Sequence, residues 1–242
     1  MISFIIQLAE LNVCVNALYD STKKYCSEYL TGEKPDFSVS INENDIIYEQ
    51  DQSYKHTPDV RYSAEYLETV AVYRKIAEKM PEYDTILFHG SVLALEGCAY
   101  MFTAGSGTGK STHARLWREA FGSRVVMIND DKPLLKITDT GVTAYGTPWN
   151  GKHCLGSNTS APLKAVCILS RAEQNSIEPI TKCAAWQYLY TQTYRPKSMN
   201  AAKKTLMLTD KLANGVRLYS LHCNTHTSAA LTAYNAIKEQ NT

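Results

Sequence analysis

Gly105, Ser106, Gly107, Thr108 and Gly109 run directly into Lys110, Ser111 and Thr112 within the stretch FTAGSGTGKSTHARLW, residues 102–117. Glycines let successive backbone N–H groups turn to one side and form a concave nest for an anion. A helix starting at the lysine aims its own free N–H groups and its positive dipole end at the same point. Lys110 then adds a full charge for the β- and γ-phosphates of a nucleotide, and the Ser111 hydroxyl is placed to ligate Mg²⁺. The expected ligands are therefore ATP and Mg²⁺, held by residues 105–112. Ala104 occupies the first position of the GxxxxGK[ST] pattern, a mild change that leaves the other glycines in place.

Such a loop needs acidic partners, since Mg²⁺ takes oxygen ligands and an attacking hydroxyl needs a base. Asp130 and Asp131 follow the apolar run RVVMI and form the acidic pair placed after a buried strand downstream of the loop. A carboxylate at the carboxyl end of a strand is where α/β sheets put their ligand chemistry; the blander role for the pair is to open the turn before Pro133. Three further residues are candidates for substrate contact. Lys152, in TPWNGK, and Arg171, after KAVCILS, are either cationic help for transfer or solvated surface charges. Trp149 either meets an acceptor or adenine, or caps the core. The segment HCNTH at 222–226 reads as a strand end, because a metal site would need a second cluster of ligands.

The elements that must position these residues follow from pattern. TILFHGSVLAL, the turn-like EG and CAYMFTA form β-rich runs around a tight turn that deliver the chain into the loop. After it, Leu116, Trp117, Ala120 and Phe121 make a helical apolar stripe ended by Gly122. RVVMI is a short buried strand, LLKI and VTAY a hairpin, KAVCILS and VRLYSLHC strands, and 183–193, 200–213 and 228–239 helical patterns. Upstream, Leu67, Val70, Ala71, Ala77 and Met80 recur at helical spacing before Pro81. Residues 1–60 carry the β-like runs SFIIQL, FSVSI and DIIYE between polar connectors. The expected organisation is a β-rich lobe with a linking helix over 1–80 and a phosphate-loop domain over 81–242.

Length and composition bound the rest. The 242 residues suffice for a substantial core, and 44% hydrophobic with 20% charged residues is ordinary for a globular protein. A net charge of +1 lends no support to a nucleic-acid or anionic-membrane surface. Seven cysteines without a CxxC pair favour free thiols, most of them buried, in a reducing compartment. The apolar start MISFIIQLAELNVCVNAL is interrupted by Gln7 and Glu10 and reads as strand, not as a signal peptide or anchor. A cytoplasmic protein is expected.

The His89-containing hairpin, the loop and the strand ending in Asp-Asp together resemble the catalytic domain of HPr kinase/phosphorylase, a group sharing its nucleotide fold with phosphoenolpyruvate carboxykinase. The resemblance covers roughly residues 84–170. It implies an α/β fold, a mixed-sheet P-loop kinase domain behind the small N-terminal lobe, that transfers the ATP γ-phosphoryl group to a serine hydroxyl. On the matching positions Asp130 becomes the base, His89 its partner, Lys110 the catalytic cation, and Asp131 joins Ser111 at the metal; the two aspartates could exchange roles. Thr112 stands where that enzyme usually has Glu, and its arginine-glycine segment has no counterpart, the chain reading AYGTPWNGKHCLGSN instead. The sequence is more similar to divergent relatives, some of which phosphorylate serine in peptides or as the free amino acid. The expected partner is thus a serine-containing peptide, protein or small-molecule acceptor, with a homo-oligomer left open and no nucleic acid or membrane. A nucleotide-binding regulatory module without catalysis is the alternative, and a carboxykinase the third reading, lacking recognisable residues for decarboxylation.

Overall fold

The computed structural model describes residues 1–55, 57–151 and 153–239. The chain forms two compact units, Met1–Met80 and Pro81–Thr242.

In the first unit β1 (Ile2–Leu8) and β2 (Leu11–Ala17) make an antiparallel pair, and β3 (Phe37–Ser40) joins parallel to β2. Helices α1 (Asp20–Tyr25), α2 (Glu43–Tyr54) and α3 (Ala64–Lys79) complete it; α3 is the expected linking helix, while α1 and α2 make the lobe before it mixed where a β-rich one is expected. The run DIIYE, expected as β-like, lies inside α2. Two local forces decide this. Asn42 and Asp45 close a reciprocal capping box, with the Asn42 N–H donating to Asp45 Oδ2 at 3.0 Å and the Asp45 N–H to Asn42 Oδ1 at 3.2 Å. Helical spacing also puts Asp45 and Glu49 on one face, where Arg74 pairs with both and Lys75 reaches Asp45 at 2.6 Å. The carboxyl of Asp45 is pushed up by burial, but the hydrogen bonds from Lys75 and the Asn42 backbone outweigh this and hold it below the usual range. The helix read from the Leu67–Met80 pattern is α3, with Ser63 accepting from the Tyr66 N–H at its N-cap.

The second unit is a mixed α/β layer structure. In chain order it contains β4 (Thr85–Leu87), β5 (Ser91–Leu95), β6 (Cys98–Thr103), α4 (Lys110–Phe121), β7 (Val125–Asn129), β8 (Leu134–Thr138), β9 (Gly141–Tyr145) and β10 (Ser160–Arg171). There follow β11 (Ser176–Pro179), α5 (Lys182–Gln192), α6 (Met199–Gly215), β12 (Arg217–Cys223) and α7 (Ser228–Glu239). The strands lie in the order β4-β8-β9-β10-β6-β5-β7, with β12 beside β10 and β11 beside β12. β10 is long enough to change neighbours along one edge: Ser160–Pro162 pair antiparallel with β9, and Ala165–Arg171 pair parallel with β12.

Both faces of the sheet are covered, which explains why its central strands are continuously apolar. Alternate residues go to opposite sides: Ala99 and Met101 of β6 and Val166 and Ile168 of β10 join Leu189 of α5 and Leu208 and Leu212 of α6. Tyr100 and Phe102, with Cys167 and Leu169, join Trp117 of α4 and Ala230 and Tyr234 of α7. Trp117 is fully buried and touches Tyr100, Phe102 and Tyr234 at ring centroid separations of 5.0, 5.4 and 5.9 Å. This aromatic cluster fixes α4, and with it the loop that begins the helix, against the sheet.

Three expectations change here. TILFHGSVLAL is two strands, since the chain leaves β4 at Leu87 and enters β5 at Ser91. The backbone between them is held sideways: the Phe88, His89 and Gly90 N–H groups donate to the carbonyls of Pro133, Gln192 and Asp131. The edge strand β11 is absent from the sequence reading, being four residues that end in a proline. All seven cysteines are free, but only Cys26 and Cys167 are buried, while Cys154 and Cys183 are exposed. Both exposed thiols lie outside the strands and core stripes, where no packing draws them in.

Candidate functional site

Strand direction brings the chemistry to one edge. β6, β10 and β12 are mutually parallel, and β5 is antiparallel to both β6 and β7, so β7 also runs with β6. The carboxyl ends of β6, β7 and β10 therefore lie at the same side, together with the amino end of β5. That single edge carries the glycine loop after Thr103, the Asp pair after Asn129, Arg171 at the end of β10, and His89 just before β5.

The loop has the conformation its glycines allow. Gly107 and Gly109 sit at φ 75° and 127°, and α4 begins at Lys110. Lys110 is only 8% exposed, and its Nζ donates to the carbonyls of Ala104 at 3.0 Å and Gly105 at 3.4 Å. Burial lowers its pKa, opposed by the charge of Asp131. Among the described residues no carboxylate stands within ion-pair distance of it. A buried cation folded onto carbonyls at a helix N-terminus is chemically matched to a phosphate.

Arg171 is exposed, but its guanidinium is engaged. Its Nε and Nη2 donate to the carbonyls of Thr108 at 3.1 Å and Gly107 at 2.5 Å. Because a trans peptide directs C=O and N–H to opposite sides, this grip turns the following N–H groups away from Arg171. The residue holds the loop.

The two aspartates receive different surroundings. Asn129, fully buried, bends the chain after β7 by accepting from the Asp131 and Lys132 N–H groups at 2.8 and 2.6 Å, and its amide donates to Thr147 Oγ1 at 3.0 Å. Asp130 is 4% exposed, and its Oδ1 accepts the Gly151 N–H at 2.6 Å. A Cβ on Gly151 would stand 3.1–3.3 Å from that carboxylate, so glycine permits the approach. Asp131 instead faces His89, whose Nε2 lies 3.4 Å from Oδ1. Burial pushes the Asp131 carboxyl up, but the His89 hydrogen bond and the charges of Lys132, His89 and Lys110 outweigh it and hold the group below the usual carboxylate range. The expected pairing of His89 with Asp130 is thus corrected to Asp131. Gln192, at the end of α5, orients the imidazole through Oε1 at 2.7 Å from Nδ1.

A pocket of about 370 Å³ opens beside α4, lined by Ser111, Thr112, Arg115 and Arg118 from the helix, Asp130 from the β7 end, and His153. Trp149 is 5% exposed and does not line it; its indole belongs to the interior and its carbonyl accepts from Asn129 at 3.4 Å. Lys152 lies outside the described residues. His222, from HCNTH, has its ring nitrogens against Ser170 and Ser220 hydroxyls at 2.6 and 3.3 Å, as befits a strand end.

A family model for the SynChlorMet cassette protein ScmC matches residues 57–228, more than half of the chain. The chain belongs to the ScmC family. The match takes in the loop, the aspartate pair, Arg171 and His89, so the whole edge is within the part shared with ScmC proteins. No curated protein matches the sequence. Among solved structures, the chain is similar to the Hpr(Ser) kinase/phosphatase from Coxiella burnetii, at 10% identity over 64% of this chain and 99% of that one, with a TM-score of 0.38. That likeness is too distant to assign fold or activity. Among the described residues no helix is long and apolar enough to cross a membrane, and no group of three or more His, Cys, Asp or Glu side chains is arranged to hold a metal ion.

Asn129, Gly151, Arg118, His153 and Gln192 are the site residues that motif reasoning missed. Only Asn129 left a signal, standing at the strand end directly before the Asp pair, where an Asx turn is chemically natural.

Proposed function

We propose that this ScmC-family protein is a cytoplasmic, Mg²⁺- and ATP-dependent kinase that phosphorylates a serine-type hydroxyl of a peptide, protein or small molecule. What carries the reading is the approach of a buried carboxylate, Asp130, to the same pocket as Ser111 of a glycine loop whose lysine has no acidic partner among the described residues.

ATP would supply the phosphoryl group and Mg²⁺ would neutralise its charge. The loop N–H groups and Lys110 would cradle the phosphates, and Ser111 and Asp131 would hold the metal. His89 keeps Asp131 ionised and oriented. Asp130 has one oxygen fixed by the Gly151 N–H, and no hydrogen bond to the other, Oδ2, occurs among the described residues. Asp130 Oδ2 would receive the hydroxyl proton as the acceptor oxygen bonds to the γ-phosphorus and the bond to the β–γ bridging oxygen breaks, leaving ADP.

The test is transfer of label from γ-labelled ATP to a panel of serine peptides and small hydroxyl acceptors, run beside Lys110→Ala and Asp130→Asn. Transfer that both substitutions abolish is the expected result. ATP binding with no transfer to any acceptor would refute the kinase and leave a nucleotide-binding module.

A further inference from the structure

The pocket beside α4 carries more than phosphoryl transfer requires. Ser111, Arg115 and Arg118 stand at i, i+4 and i+7, on one face of the helix. Arg115 is engaged with Glu119 one turn on. Arg118 is exposed, makes no ion pair among the described residues, and lines the cavity with Asp130, Met127 and Leu155. Asp130 is the one carboxylate in that lining and is held by the Gly151 N–H rather than by Arg118, so the Arg118 guanidinium stands unpaired beside an apolar wall.

The position of Arg118 separates it from the nucleotide phosphates. Seven residues at a rise of about 1.5 Å place it roughly 10 Å along the helix from Ser111, and helical side chains lean back toward the N-terminus. The guanidinium therefore reaches a point several ångströms from the hydroxyl that Asp130 would deprotonate. An extended peptide advances about 3.4 Å per residue, so that distance corresponds to two or three residues. A cavity of about 370 Å³ is ligand-sized and exceeds what one amino acid needs.

We infer that this pocket is the acceptor site and that Arg118 binds a carboxylate carried two or three residues from the phosphorylated serine of an acidic peptide. The planar guanidinium fork matches a carboxylate in a way that a lone ammonium does not. The inference rests on the kinase reading and adds the substrate class.

The experiment uses the full chain, γ-labelled ATP, and peptides in which an aspartate stands two or three residues before or after a single serine. Each is paired with its asparagine counterpart, and L-serine is a further arm. The expected result is an aspartate-over-asparagine preference of ~10- to 100-fold in kcat/KM, the range for a lost charged hydrogen-bond pair, arising in KM. In Arg118→Ala that preference collapses to within about twofold, while the KM for ATP stays within twofold. Equal use of aspartate and asparagine peptides by the wild type, or transfer to L-serine alone, overturns the inference and leaves the kinase standing. A raised KM for ATP in Arg118→Ala, with the preference intact, overturns it in favour of a nucleoside site. No transfer to any of these acceptors, with ATP bound, sinks the kinase reading and the inference with it.

Discussion

Replacing Arg171 by alanine tests whether the phosphate loop is held from outside. The side chain makes two hydrogen bonds, to Gly107 O at 2.5 Å and Thr108 O at 3.1 Å, from a charged donor at the end of β10. Such bonds are worth about 1.5–3 kcal/mol each in a protected setting. Arg171 is exposed, so water competes and about 1 kcal/mol each is the reasonable figure. Losing both leaves the loop to be ordered by the nucleotide itself, a cost of about 2 kcal/mol, or roughly 30-fold in Kd. Titration calorimetry with ATP and ADP should show that weakening equally for both, since the grip is on backbone and not on a particular phosphate. Arg171→Lys should recover only part of it, because one ammonium cannot reproduce the two-pronged contact. A change below twofold in Arg171→Ala, or full recovery with lysine, refutes the clamp. A loss confined to ATP would place the side chain on the γ-phosphate instead.

Lys110→Ala should lower the rate of label transfer by at least ~100-fold, the usual cost of removing a preorganised charge from a transition state, with melting temperature close to wild type as the control. Gly151→Ala should displace the Asp130 carboxylate by a few tenths of an ångström, given contacts of 3.1–3.3 Å for the new Cβ; kcat should fall ~10-fold while the KM for ATP is unmoved. His113 is buried, and its pKa is lowered by burial to about 4. The unfolded imidazole takes up its proton below ~6.5, so this histidine costs nothing above that pH, and stability is lost as pH falls from there to about 4. Melting should show about 2 kcal/mol lost through this group between pH 7 and 5. That part of the slope should vanish in His113→Gln, which can still accept the 3.0 Å hydrogen bond from Trp117 Nε1.

What could be read from the sequence was what is local along it. The glycine loop, its lysine and the helix after it are contiguous, so backbone chemistry alone ties residue types to geometry. The strands β6 and β10 were legible because burial on both faces makes them continuously apolar. The DIIYE run misled because its apolar residues are few, and the capping box and the Arg74 and Lys75 partners that decide for helix lie partly in α3. The supports of the site were out of reach for the same reason. Gln192 meets His89 across 103 residues, and Arg171 meets Gly107 across 64. Neither contact leaves a mark on the local pattern.

The Asp130–Asp131 pair shows how a fold separates two identical side chains. Adjacent residues on a straight strand point to opposite faces, but these lie just past the end of β7, where Asn129 Oδ1 collects the N–H groups of residues 131 and 132. The bend sends Asp130 toward the Gly151 N–H and the α4 pocket, and Asp131 toward His89 and the field of Lys110. On the proposed kinase reading this division favours Asp131 for the metal: a carboxylate sharing the field of two or three cations is suited to remain ionised beside one. One held by a single neutral N–H, in the lining of a pocket, is suited to take a proton. Asn129 makes that division possible from a fully buried position, so Asn129→Ala should disable transfer even though both aspartates and the loop remain.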